Sequence, residues 1–151
     1  MSRSGFSFVF ACLAMGIGGP HAAVAAQTHE FGSEAYIEAA TGVVESTLRA
    51  SKADDIDAWL SHFTSDAIFE VNGIELVGPR EFRRAHRAAI EAGAEKVLGK
   101  LKHHEVLEVG WTGARMYAWE RWSYSSGMVL NGYSEYEVLD GKIVYMLGEV
   151  G

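Results

Sequence analysis

After residue 100 the chain alternates between long strand-like stretches and short turn sequences, and that rhythm leaves few folds open. Leu101 to Val109 is followed by turn residues 110–113, Arg115 to Tyr124 by Ser125-Ser126-Gly127, and Met128 to Leu139 by Asp140-Gly141 before Lys142 to Val150. Strands joined by such short turns pair antiparallel, so a four-strand meander is predicted. Strands of about ten residues also curl, which gives the sheet a hollow side and an outer side.

The first half supplies elements to cover that sheet. Ser33 can cap a helix, after which Tyr36, Ala40, Val43, Val44, Thr47 and Leu48 recur at helical spacing. A break at Ser51-Lys52-Ala53 precedes Asp54 or Asp55 as a second cap, and Ile56, Trp59, Leu60 and Phe63 form the next apolar stripe. Ala67 to Val71 reads as a strand, Asn72-Gly73 as a tight hairpin turn, and Ile74 to Val77 as its return. Gly78-Pro79 opens a third helix with proline in its first turn, where no amide donor is needed. Phe82, Ala85, Ala89 and Ile90 are its expected buried side, while Arg80, Arg83, Arg84 and Arg87 read as a solvated stripe. The predicted architecture is α+β: a cone-shaped, curved antiparallel sheet with three helices enclosing a pocket.

Residues 1–26 are expected to be a signal peptide rather than part of the fold. Arg3 precedes an apolar run from Phe6 to Ile17, Gly18-Gly19-Pro20 breaks it, and Ala22-Ala23-Val24-Ala25-Ala26 offers small residues for cleavage. The run is shorter than the roughly 20 residues that span a bilayer. The domain is then residues 27–151, periplasmic or secreted, with no membrane association after cleavage. Without Arg3, 12 of the 13 basic residues remain against 20 acidic ones. The sole cysteine, Cys12, leaves with the leader, so packing rather than disulfides must stabilise the mature chain.

The acidic balance argues against nucleic acid as a partner, because phosphate binding needs a basic surface. His103 and His104 are neighbours on a strand and point to opposite sides, so they do not chelate one ion together. No metal signature, phosphate loop, nucleophile elbow or dinucleotide fingerprint is present. The chemistry left open needs no cofactor.

Alternation assigns the strand faces. In Arg115 to Tyr124, one set is Tyr117, Trp119, Arg121 and Ser123; the other is Met116, Ala118, Glu120, Trp122 and Tyr124. The first set is expected to face the hollow, where Arg121 among aromatics would hold a carboxylate or enolate oxygen. Leu130, Gly132, Ser134, Tyr136 and Val138 form the apolar set of the next strand, opposed by Glu135 and Glu137 on an expected surface. Met116, Trp122, Tyr124, Tyr145 and Leu147 are then left on the outer side, which suggests a homodimer through the convex face.

"DDIDAWLSHFTSDAIF" from Asp54 to Phe69, Gly78-Pro79 at the third helix and Asp140-Gly141-Lys142-Ile143 at the last hairpin resemble the SnoaL-like proteins of the nuclear transport factor 2-like superfamily. The resemblance covers the mature chain in element order. It implies a cone-shaped α+β barrel with a pocket, often dimeric, in enzymes such as ketosteroid isomerase and scytalone dehydratase and in proteins without known catalysis. The isomerase's base aligns with Val71 and its buried acid with Ser134, so both acids are absent. The dehydratase type places a histidine on the strand after the third helix, matched by His104. Its partner aspartate falls near Lys52, with Asp54 and Asp55 close by.

The expected function is to bind a small apolar molecule, either as a cofactor-free isomerase, dehydratase or cyclase acting by proton transfer, or without catalysis as a dimerisation or partner-binding domain. In the enzymatic reading His104 is the base and Arg121 or Tyr117 its electrostatic support. Tyr36, Trp59, Phe63, Phe69, His86, Tyr117, Trp119, Ser134, Tyr136 and Met146 are the expected pocket lining.

Overall fold

The computed structural model describes residues 34–113 and 115–151. The expected leader, residues 1–26, and the proposed cap Ser33 lie outside the described residues. The first helix, α1 (Glu34–Lys52), buries Ala40, Val44, Thr47 and Leu48. Tyr36, near its start, donates its hydroxyl to the Val138 carbonyl at 2.9 Å and so ties the helix to the sheet. Asp55 caps α2 (Ile56–Leu60) by accepting from the Ala58 amide at 3.0 Å. That helix stops before Phe63, although the apolar spacing continues. The Ile143 amide donates to the His62 carbonyl at 2.8 Å, and Phe63 pairs with Ile143. Sheet pairing therefore claims this backbone and makes Phe63 the first residue of β1 (Phe63–Val71).

The turn into β2 (Ile74–Val77) has φ 47° at Asn72 and 79° at Gly73, the two left-handed positions that a two-residue hairpin of this hand requires. The helix α3 (Gly78–Glu91) follows directly, with proline in its first turn. The Glu81 carboxylate reaches back to accept from the Val77 amide at 2.8 Å, the role a cap side chain would otherwise fill. The buried side of α3 is narrower than expected: Phe82 and His86 are buried, while Ala85, Ala89 and Ile90 are half-buried. A fourth, short helix, α4 (Ala94–Leu98), lies between Gly93 and Gly99, both at positive φ, and buries Ala94 and Leu98.

The meander is present as β3 (Leu101–Thr112), β4 (Arg115–Tyr124), β5 (Val129–Leu139) and β6 (Lys142–Val150). The six strands form one sheet in the order β2-β1-β6-β5-β4-β3. Two expectations need correction. The sheet is not wholly antiparallel, since β1 and β6 run parallel; nor is it a closed barrel, since β2 and β3 are its edges. Among the described residues the helices number four rather than three, and none is long and apolar enough to cross a membrane.

The helices pack on one face of the sheet through an aromatic cluster. Trp59 lies 4.4 Å from Phe63, 5.8 Å from Phe69 and 5.0 Å from Phe82 by ring centroids, and Phe69 lies 4.8 Å from Phe82. All four rings are at most 5% exposed. Tilted contacts of this kind add to the area each ring buries and fix α2 and α3 over β1.

Candidate functional site

β3, β4 and β5 bring His104, Glu120, Trp122, Ser134 and Tyr136 onto the inner face. His104 and Trp122 are direct cross-strand partners, and their rings stack at 5.2 Å and 27°. The Trp122 ring sits over Gly132, where a Cβ would overlap it. Glycine at 132 thus makes the space for the indole that flanks the histidine.

The centre of the site is the pair His104 and Glu120. His104 Nε2 and Glu120 Oε1 are 2.8 Å apart, and the side chains are 2% and 3% exposed. An ionised carboxylate only accepts hydrogen bonds, so Nε2 carries the hydrogen that binds Glu120. In the neutral ring the lone pair is then on Nδ1, which is buried and has no hydrogen-bond partner among the described residues. A carboxylate on one nitrogen and an open lone pair on the other make the geometry of a general base with a fixed tautomer. Tyr136 belongs to the same environment. Burial pushes its phenol far above the usual range, and the Glu120 charge adds to that. A neutral tyrosine held in this way can donate a proton or a hydrogen bond.

The structure divides the residues singled out from the sequence. His104, Ser134, Tyr136, Met146, Trp59, Phe63, Phe69 and His86 all lie on the core side, each at most 6% exposed. Tyr36 is half-buried, with its hydroxyl on the Val138 carbonyl and its ring 6.5 Å from Trp111.

Tyr117, Trp119 and Arg121 do not face the hollow, and this corrects the expected parity of β4. Met116, Ala118, Glu120, Trp122 and Tyr124 are the buried set, while Trp119 is 44% exposed. The Arg121 side chain is 46% exposed; its Nε donates to Asn131 Oδ1 at 3.1 Å, and its NH1 lies 3.4 Å from Glu105. Both sets carry aromatics, so hydrophobicity alone does not choose between them. The choice turns on Gly132 making room for Trp122 and on His104 matching the Glu120 carboxylate. Arg121 is thereby removed from the inner site, and the outer patch expected of Met116, Trp122 and Tyr124 is instead built from Tyr117, Trp119 and Tyr133.

Glu137 departs from expectation too. A register shift between Glu137 and Val138 buries it to 5% exposure, against Arg115 at 3.3 Å. Glu120 and Trp122 were missed as site residues. The available signal was an acid at the centre of an otherwise apolar alternating set, which requires a buried partner, and His104 on the neighbouring strand is that partner. Lys52 and the nearby Asp54 and Asp55 do not supply it. Among the described residues no group of three or more His, Cys, Asp or Glu side chains is placed to hold a metal ion.

The surface carries a separate hollow of about 650 Å³ on the other side of the sheet, lined in part by Trp119, Tyr133, Glu70 and Glu149. It does not include His104 or Glu120.

Residues 44–146 match the model of the SnoaL-like domain. No curated protein sequence matches the chain. Among solved structures, an NTF-2 like protein of unknown function from Burkholderia xenovorans LB400 is similar at 23% identity and TM-score 0.56, covering 74% of this chain and 82% of that one. A putative polyketide cyclase from Sinorhizobium meliloti is similar at 22% identity and TM-score 0.54, covering 73% and 94%. A putative ketosteroid isomerase from Kribbella flavida DSM 17836 shares 12% identity at TM-score 0.58, covering 76% and 78%. These likenesses carry the fold alone.

Proposed function

The chain belongs to the SnoaL-like domain family, and from that premise we propose that it acts without a cofactor on a small, largely apolar molecule, by proton transfer of the isomerase, dehydratase or cyclase kind. The observation that carries this reading is the buried His104–Glu120 pair with the unpartnered Nδ1. Glu120 holds the imidazole in one tautomer and stabilises its charged form, Nδ1 takes a proton from carbon, and Tyr136 faces the charge that develops on the substrate oxygen. Trp122 stacked on His104 makes this wall apolar and flat, which suits a cyclic substrate. Because the pair is nearly sealed, the ligand reaches Nδ1 by parting the side chains that cover it.

The test is exchange of the α-hydrogens of 2-tetralone, an apolar cyclic ketone, for deuterium in D₂O, followed by proton NMR. Wild type should accelerate exchange over buffer, and His104→Gln should lower the acceleration by about 10²-fold or more, the usual contribution of a general base. A folded His104→Gln protein that exchanges the ketone as fast as wild type would falsify the mechanism.

Export belongs to the same reading and is supported by the leader-like layout of residues 1–26. Amino-terminal sequencing of protein secreted by its native host should begin near Gln27; retention of Met1 would rule it out.

A second reading is a non-catalytic domain whose outer face pairs with another copy. Exposure of Trp119 at 44% and Val129 at 50% on that face favours it. Sedimentation equilibrium would then give twice the chain mass.

A further inference from the structure

The inner face carries one buried hydroxyl that neither the dyad nor the fold uses. Ser134 is 1% exposed, and its Oγ has no hydrogen-bond partner among the described residues, a state it shares with His104 Nδ1. Buried polar side-chain atoms are as a rule paired, because one left unpaired retains its full desolvation cost. Alanine would fill the same place without that cost. Packing alone therefore does not call for a serine here; a polar atom brought in by a ligand does.

The strand register places this hydroxyl beside the residues of the dyad. Ser134 pairs with Ala118 on β4 and with Gly148 on β6, so its row across three strands carries a methyl group, a hydroxymethyl group and a hydrogen. In the row on one side Gly132 lies between Glu120 and Val150; in the row on the other Tyr136 lies between Met116 and Met146. Ser134 thus stands one step from the acid that holds His104 and one step from Tyr136, on a low, otherwise apolar course of the inner face. Diagonal cross-strand neighbours such as Ser134 and Glu120 are about 7–8 Å apart, so a small ring compound reaches from one to the other. A hydroxyl both donates and accepts, whereas an ionised carboxylate only accepts. Serine therefore suits both tautomers of an enolisable ketone: it donates to the ketone oxygen and accepts from the enol hydroxyl.

We propose that Ser134 is the specificity-determining residue of the inner site, and that its hydroxyl bonds the oxygen of a flat ring ketone or its enol. The ring body lies over Ala118 and Gly148 and against Trp122. This role rests on the proton-transfer reading of His104 for its place in the reaction, and on the unpaired hydroxyl for its place in binding. Ligand binding then removes a desolvation cost that the free protein carries at Ser134.

The experiment uses the full chain and two probes that cannot turn over: 2-naphthol, which has the shape of an enol of 2-tetralone, and 2-methylnaphthalene, in which a methyl group replaces the hydroxyl. Equilibrium dialysis gives the dissociation constant of each for wild type and for Ser134→Ala. The substitution should weaken 2-naphthol about fivefold or more and leave 2-methylnaphthalene unchanged or tighter. Comparing each probe with itself removes the difference in their hydrophobicity. The free Ser134→Ala protein should also unfold at a higher urea concentration than wild type, the reverse of what a hydroxyl serving the fold would give. An equal effect on both probes would overturn the proposal, as would failure of wild type to bind 2-naphthol. So would a lower urea midpoint for Ser134→Ala. Exchange of 2-tetralone tests the dyad separately: exchange without the 2-naphthol effect overturns only the role of Ser134, and the 2-naphthol effect without exchange overturns only the base.

Discussion

Gly132 and Trp122 occupy the same space in turn: the inner face of β5 is bare at 132 because the six-membered ring of Trp122 lies where a Cβ would stand. The contact links a glycine to the histidine through one intermediate, since Trp122 is stacked on His104. Interiors packed to crystal density accept an added methyl only by moving a neighbour. Here the neighbour is a buried indole, 1% exposed, with little freedom to shift.

Gly132→Ala should therefore destabilise the fold by about 1–3 kcal/mol, the usual cost of overpacking. Urea unfolding measures the loss, and near-ultraviolet circular dichroism reports the displaced indole. The variant should also slow ketone exchange, because the ring that flanks His104 is no longer in register. Unaltered stability would mean that Trp122 does not fill this space.

Removing one member of the His104–Glu120 pair should cost far more than removing both. Glu120→Ala strands a histidine whose Nε2 loses its acceptor, and His104→Ala strands a buried carboxylate. Each should lower stability by about 3–5 kcal/mol, while a double replacement with apolar residues of similar volume should restore much of it. A double-mutant cycle in urea gives the coupling energy. Additive losses would show that the two side chains do not act on one another.

Asn72 serves two elements at once. Its backbone makes the left-handed hairpin turn, and its side chain brackets β6 by accepting from the Val150 amide at 2.9 Å and donating to the Val150 carbonyl at 3.3 Å. Asn72→Ala should cost about 1–3 kcal/mol through the unpaired Val150 amide and the strained turn. Hydrogen exchange at Val150 should rise with it; protection equal to wild type would show that the bracket carries no energy.

These cases show what the amino-acid sequence discloses. Turn chemistry was readable because it is local: Asn72-Gly73, Gly78-Pro79 and Asp140-Gly141 fall where the chain reverses or a helix begins. The end of α2 at Leu60 was not readable, because it is decided by β6, some 80 residues away, pairing with Phe63. The inward direction of His104 followed from alternation, but its partner did not, because β4 has two aromatic faces and the deciding features lie on β3 and β5. An α+β fold is thus legible from periodicity alone, whereas a site at the crossing of three strands depends on a parity that one strand does not contain.

The outer face makes a pH-dependent prediction whose sign follows from its tyrosines. Burial, then the bond to Glu135, pushes Tyr133 up to about 12; burial, then the bond to Glu70 at 2.8 Å, does the same for Tyr145. In the unfolded chain both phenols return to about 10. The neutral phenol is the form that the fold favours, so their contribution to stability is complete below pH 10. Between about pH 10 and 12 the unfolded chain ionises first, and stability falls as pH rises through that window. Urea unfolding at stepped pH should show the decline, and Tyr133→Phe with Tyr145→Phe should make it shallower, the remainder being that of Tyr136. Absorbance at the phenolate band should show Tyr133 and Tyr145 titrating well above 10, with the buried Tyr136 higher still; a single titration near 10 for all six would mean that neither outer hydroxyl is held by its carboxylate.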